Sequence, residues 1–256
     1  MTAAQRLRSG TVAERLAAMA ETVAAGEPDA DTMSALVDSL GDERKLIQRR
    51  AAETLAALGG HGADVRSVLM TALASDKPKQ RWGAAYAFSL LGDAPPVALP
   101  ILLEALGSDD GDVRWAAGNI LARLRGDATV IDALQRLLTM GNVTQRKMAA
   151  YCLRDLEARS PAIERALLAA LDDADTNVRL AALACLARLA LDRRAAAERL
   201  IDLLADSDAS VRRVAAASLG LLGERSDAVR AALASASRSA DPSLARAAER
   251  SLRVLA

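Results

Sequence analysis

The property that most constrains this chain is a period. An apolar anchor recurs at Leu55, Phe88, Leu121, Leu153, Leu186, Leu219 and Leu252, at steps of 33, 33, 32, 33, 33 and 33 residues. Each anchor sits in a similar segment: IQRRAAETLAALG (47–59), QRWGAAYAFSLLG (80–92), VRWAAGNILARLR (113–125), QRKMAAYCLRDLE (145–157), VRLAALACLARLA (178–190), VRRVAAASLGLLG (211–223) and LARAAERSLRVLA (244–256). Self-similarity at this length implies a stack of supersecondary units, none of which buries its apolar face alone.

About a dozen residues upstream of each anchored segment lies a second apolar one, such as ILLEALG (101–107), ALLAALDD (166–173) or RLIDLLAD (199–206), and a short polar turn separates the two. The unit therefore reads helix, turn, helix. Asp110, Asp175, Asp208 and Asp241 stand three residues before the first apolar residue of the second helix, where a side chain caps the free N–H groups. Pro242 follows Asp241 at the favoured first helical position. Gly59, Gly92 and Gly223 are placed to end second helices in a left-handed turn. The proline-rich GDAPPVALP (92–100) reads as a turn between repeats.

With its D-x-x-V-R-x-x-A-A-x-x-x-L pattern, the chain resembles the HEAT-repeat family, in particular the short subtype of the phycobilisome lyases. The resemblance covers residues 31–256, about seven repeats of roughly 33 residues. It implies an all-α fold, a right-handed α–α superhelix of HEAT/armadillo type forming one continuous domain. Residues 1–30 read as an N-terminal helical cap, opened by the capping-box pattern Thr11-Val12-Ala13-Glu14. The repeat specifies fold far better than function, because such solenoids serve many unrelated tasks.

Composition narrows the classes. The 33 basic side chains balance 33 acidic ones, so no global field favours nucleic acid or an anionic membrane. No apolar run has the length of a signal peptide or a membrane span. Cys152 and Cys185 form no CxxC pair and read as small, reduced fillers. The expectation is a soluble cytoplasmic protein, bacterial in its Ala-, Arg- and Leu-rich composition.

Counting each second helix from its first aligned residue (Ile47, Gln80, Val113, Gln145, Val178, Val211, Leu244), positions 1, 5, 9 and 12 form the core stripe at about 100° per residue. Positions 3, 7 and 10 point away, and the resemblance places that side on the concave face. Phe88, at position 9, is core. Trp82 and Tyr86, Trp115 and Asn119, then Lys147, Tyr151 and Arg154 occupy positions 3, 7 and 10 of three consecutive repeats. These seven are the candidate partner-binding residues, since Trp and Tyr dominate binding hot spots. The alternative is that Trp82 and Trp115 lean sideways and fill gaps between repeats. Arg49, Arg123, Arg188, Arg213, Arg246, Arg250 and Arg253 make the same face basic, against Glu53 and Asp155.

Arg81, Arg114, Arg146, Arg179 and Arg212 hold position 2 in five successive repeats. They resemble the family's structural ladder, in which an arginine bonds an aspartate in a neighbouring turn; Asp76, Asp109, Asp173 and Asp206 are the candidate partners. Gln48 and Ala245 break the series at its ends.

Little points to catalysis. The single histidine, His61, lies in the loop GGHGAD (59–64) with no acid or nucleophile at a recognisable spacing, and no metal-ligand pattern or phosphate loop is present. Iron-dependent HEAT relatives that oxidise a lysine derivative carry His-Glu pairs, which this sequence lacks. The reading is a non-catalytic scaffold that needs no cofactor and grips a protein or peptide with an acidic segment. The alternative is a bilin-lyase-like subunit or chaperone handling a tetrapyrrole. The third reading, an alkylpurine DNA glycosylase of HEAT-like build, would make nucleic acid the partner.

Overall fold

The computed structural model describes residues 1–92, 94–124 and 126–256. Asp93, in the proline-rich turn, and Arg125, which ends the third aligned segment, lie outside the described residues. Among the described residues the chain forms α-helices and one-turn 3-10 helices but no strand. The helices are α1 (Ala3–Ser9), α2 (Val12–Ala25), α3 (Ala30–Ser39), α4 (Lys45–Gly60), α5 (Val65–Leu73), α6 (Pro78–Leu90), α7 (Leu99–Ala105), α8 (Gly111–Arg123), α9 (Ala128–Met140), α10 (Val143–Asp155), α11 (Pro161–Ala170), α12 (Thr176–Leu189), α13 (Arg193–Asp202), α14 (Ala209–Leu222), α15 (Asp227–Ala236) and α16 (Pro242–Leu255). They divide into two compact units, Met1–Ala105 and Leu106–Ala256.

Helix starts follow the local chemistry. The carboxylates of Asp175, Asp208 and Asp241 each accept from two backbone N–H groups of the first turn, and Asp110 accepts from Asp112 N–H. Thr11 and Glu14 close the capping box at α2, and Thr2–Gln5 and Asn142–Gln145 do the same at α1 and α10. Gly92 and Gly223 take the left-handed conformation, with φ of 80° and 75°. Gly59 does not: α4 runs on to Gly60, and the left-handed glycine is Gly62 (φ 95°). The proline-rich stretch contributes a single 3-10 turn, Pro96–Ala98, leading into α7.

In the N-terminal unit the second helices α2, α4 and α6 pack in sequence, with α1, α3 and α5 alongside. In the C-terminal unit α8, α10, α12, α14 and α16 pack in sequence in the same way. All anchors but Leu252 are fully buried, with Phe88 2% exposed. A second anchor series runs through the first helices: Leu36, Leu69, Leu102, Leu134, Leu167, Leu200 and Leu233 repeat at the same steps and are buried. Each such leucine stabilises its repeat by about 2–3 kcal/mol. Close approach is built in where needed: a Cβ on Gly83 would come within 2.6 Å of the Leu40 carbonyl oxygen, so α6 requires glycine there to seat against α3.

Helices α1 and α2 share the repeat register. Arg15 stands 33 residues before Gln48, and its Nη1 pairs with Asp42 at 2.6 Å while Nη2 reaches Ser39 Oγ at 3.4 Å. Buried Arg15 thus makes the same contact as the later ladder arginines.

Candidate functional site

Four of the five ladder arginines, Arg81, Arg146, Arg179 and Arg212, act in two directions. Toward its own turn, the guanidinium donates to a backbone carbonyl: Arg81 to Ser75 (3.1 Å), Arg114 to Ser108 (2.6 Å), Arg179 to Asp173 (2.9 Å) and Arg212 to Asp206 (2.8 Å). Arg146 uses the Gly141 carbonyl at 2.9 Å. Toward the next repeat it meets a carboxylate. Arg146 clasps Asp173 through two bonds of 2.8 and 2.9 Å, Arg179 meets Asp206 at 3.3 Å, and Arg212 meets Asp241 at 3.7 Å. The Arg146 guanidinium holds the Asp173 carboxyl below the ordinary aspartate value. Arg81 pairs with exposed Glu104 at 3.5 Å. Asp76 and Asp109 are exposed. Gln48, the apparent break, donates to the carbonyls of Leu40 (2.9 Å) and Lys79 (3.1 Å), a neutral version of the same bridge.

A second ladder runs through position 8 of the C-terminal unit. Cys185 Sγ, Ser218 Oγ and Ser251 Oγ each donate to a carbonyl 35 residues earlier, those of Ala150, Leu183 and Ala216, at 3.0, 3.4 and 2.8 Å. Sequence reasoning took the position-8 cysteines only as fillers and passed over the serines. Burial pushes the Cys152 and Cys185 thiols up to about 12, so both stay protonated at neutral pH.

The seven candidate binding residues fall in both units. In the N-terminal unit, Trp82 and Tyr86 lie one turn apart on α6 and stack, with ring centroids 6.1 Å apart and planes inclined by 27°; both are half-buried. In the C-terminal unit, Trp115 on α8 is 72% exposed, and Asn119, one turn on, is half-buried. On the adjacent helix α10, Lys147, Tyr151 and Arg154 are half-buried. The Arg154 guanidinium lies over the Tyr151 ring, 5.0 Å from its centroid, and pairs with Asp155 at 2.8 Å. Burial raises the Tyr151 phenol above its ordinary value, with Cys185 adding to the shift and Arg154 opposing it. The arginines at 49, 123, 188, 213, 246, 250 and 253 are exposed. Glu53 is partly screened by Arg50 at 2.7 Å.

Among the described residues no cluster of three or more His, Cys, Asp or Glu is arranged to hold a metal ion, and no helix is long and apolar enough to cross a membrane. His61 is exposed in its loop.

Helix pairs stacked at a fixed step and tied by an arginine ladder define a helical-repeat protein. Family comparison makes this specific: the model for HEAT repeats matches residues 33–122, 67–154 and 164–253, so the chain belongs to the HEAT-repeat family. No curated protein matches the sequence. Among solved structures, the chain is similar to the X-ray structure of the Escherichia coli protein YibA, at 18% identity and TM-score 0.59, covering 98% of this chain and 91% of that one. It is also similar to importin beta (14%, TM-score 0.64) and to Kap95p (15%, TM-score 0.65), covering 99% of this chain and 40% of each of those. These likenesses speak for the fold class, the all-α solenoid of HEAT type.

Proposed function

We propose that this protein is a non-catalytic scaffold that grips a protein or peptide partner on the outward face of its second helices. The observation that carries the reading is Trp115, 72% exposed on α8 with Lys147, Tyr151 and Arg154 on the helix beside it. An exposed tryptophan beside cationic and aromatic neighbours is the composition of an interface anchor. Exposed arginines at positions 3, 7, 10 and 11 would steer an acidic segment toward it. Kap95p, a solenoid of similar fold, binds RanGDP, and by analogy the repeat face here receives a macromolecule.

The test compares wild type with a Trp82→Ala/Trp115→Ala variant in affinity capture from a lysate of the source organism, with circular dichroism on both. A partner retained by wild type and lost from the folded variant supports the reading, with a cost of about 2 kcal/mol or more in its measured affinity. If the variant keeps every partner, or unfolds, the aromatics are packing residues and the reading fails.

A further inference from the structure

The C-terminal unit also gathers positive charge around a cavity. At the C-terminal ends of α10, α12 and α14, a cavity of ≈ 340 Å³ is lined by Arg154, Arg159, Arg188 and Arg193, with Glu157 as its one carboxylate and Leu221 on its wall. Arg154 is engaged by Asp155 at 2.8 Å. Arg159 Nη2 donates to the Arg188 backbone carbonyl at 3.0 Å, which holds the Arg159 guanidinium at the end of α12. Neither Arg188 nor Arg193 pairs with a carboxylate among the described residues. The carbonyl ends of the helices offset part of the repulsion, which lets several guanidinium groups share one cavity.

Glu157 adds an independent mark. Its φ of 55° is the left-handed conformation that glycine takes at the equivalent place in Gly92 and Gly223, and it is the one non-glycine residue so placed among the described residues. Side chains held in this region cluster at functional sites. Here the strained position sets a carboxylate in the lining of the arginine cavity.

We propose that this cavity binds a phosphate-class oxyanion, carried on a phosphorylated peptide side chain or free in solution. Guanidinium groups match phosphate oxygens through paired N–H donors, and several of them suit a group bearing nearly two negative charges better than a single carboxylate. Two of its arginines, Arg154 and Arg188, also belong to the outward basic face, while Arg159 and Arg193 belong to the cavity alone.

Calorimetric titration of the full chain at low salt, with sodium phosphate and with a glycine-flanked phosphoserine peptide, tests it. Binding of either probe, with the unphosphorylated serine peptide silent, is expected; which probe binds tells the peptide source from the free ion. Arg188→Gln/Arg193→Gln should weaken binding at least tenfold, and Glu157→Gln should tighten it severalfold. Trp115→Ala should leave it unchanged, so failure of the aromatic reading and failure of this one are separable. The proposal is overturned if neither probe binds, if the arginine variant binds like wild type, or if Arg213→Gln/Arg246→Gln, outside the cavity, weakens binding equally.

Discussion

In the C-terminal unit, Arg146, Arg179 and Arg212 each reach an aspartate in the next repeat. In the N-terminal unit the same place is held by Arg15 with Asp42, by Gln48 with two carbonyls, and by Arg81 with a surface glutamate. The C-terminal unit adds the Cys185–Ser218–Ser251 ladder, which among the described residues has no counterpart at Ala87 or Thr54 in the N-terminal unit. The difference teaches that the shared requirement is a donor bridging two turns. A guanidinium meets it most strongly, but an amide suffices where no carboxylate faces it.

The largest expected contrast is between two arginines of equal register. Arg179 and Asp206 have side chains only 12% and 11% exposed, so Arg179→Ala strands a nearly buried carboxylate and should cost about 3 kcal/mol. Arg81 faces Glu104, which is 64% exposed, and Arg81→Ala should cost about 1 kcal/mol. Urea unfolding followed by circular dichroism measures both, and equal losses would erase the distinction between the units.

A smaller effect concerns position 8. Ser251→Ala removes a donor from a buried carbonyl and should cost about 1 kcal/mol. Cys185→Ser exchanges one donor for another in the register that Ser218 and Ser251 already occupy, and should fall within about 0.5 kcal/mol of wild type. Thermal melts of the two variants side by side decide whether this is a ladder or two unrelated contacts.

The smallest effect is with pH. Since Arg146 holds the Asp173 carboxyl below its ordinary 3.8, the folded chain takes up that proton less readily than the unfolded one. The resulting stability is fully present above the ordinary value and disappears as the pH falls through the depressed one. In Arg146→Gln this acid-side loss should shrink, read from melting temperatures at a series of pH values below about 5. An unchanged acid profile would mean that other carboxylates dominate it.

Much of the fold was legible because it is periodic. The anchors, the helix–turn–helix unit and the aspartate caps all follow from spacing and from which side chains satisfy free N–H groups. The Leu36-to-Leu233 series was equally available but is embedded in first helices that otherwise vary. Arg15 escaped because it lies in a stretch without the repeat's V-R-x-x-A-A signature, and its partner Asp42 is recognisable only once two turns are adjacent. The second ladder escaped for a different reason: its acceptors are backbone carbonyls, which carry no residue identity.

The sequence by itself determined the repeat, its period, its core stripe and its capped turns, because these depend on local propensity and apolar spacing. Only the tertiary structure decided what each outward side chain touches. Trp82 and Trp115 hold the same position, yet Trp82 is half-buried against Tyr86 while Trp115 stands 72% exposed next to a turn bearing Asn119. Likewise, Arg154, Arg159, Arg188 and Arg193 come from different segments and meet around one cavity only when α10, α12 and α14 are stacked. Helical angle assigns a residue to a face; exposure and charge clustering depend on the neighbours that packing brings to it.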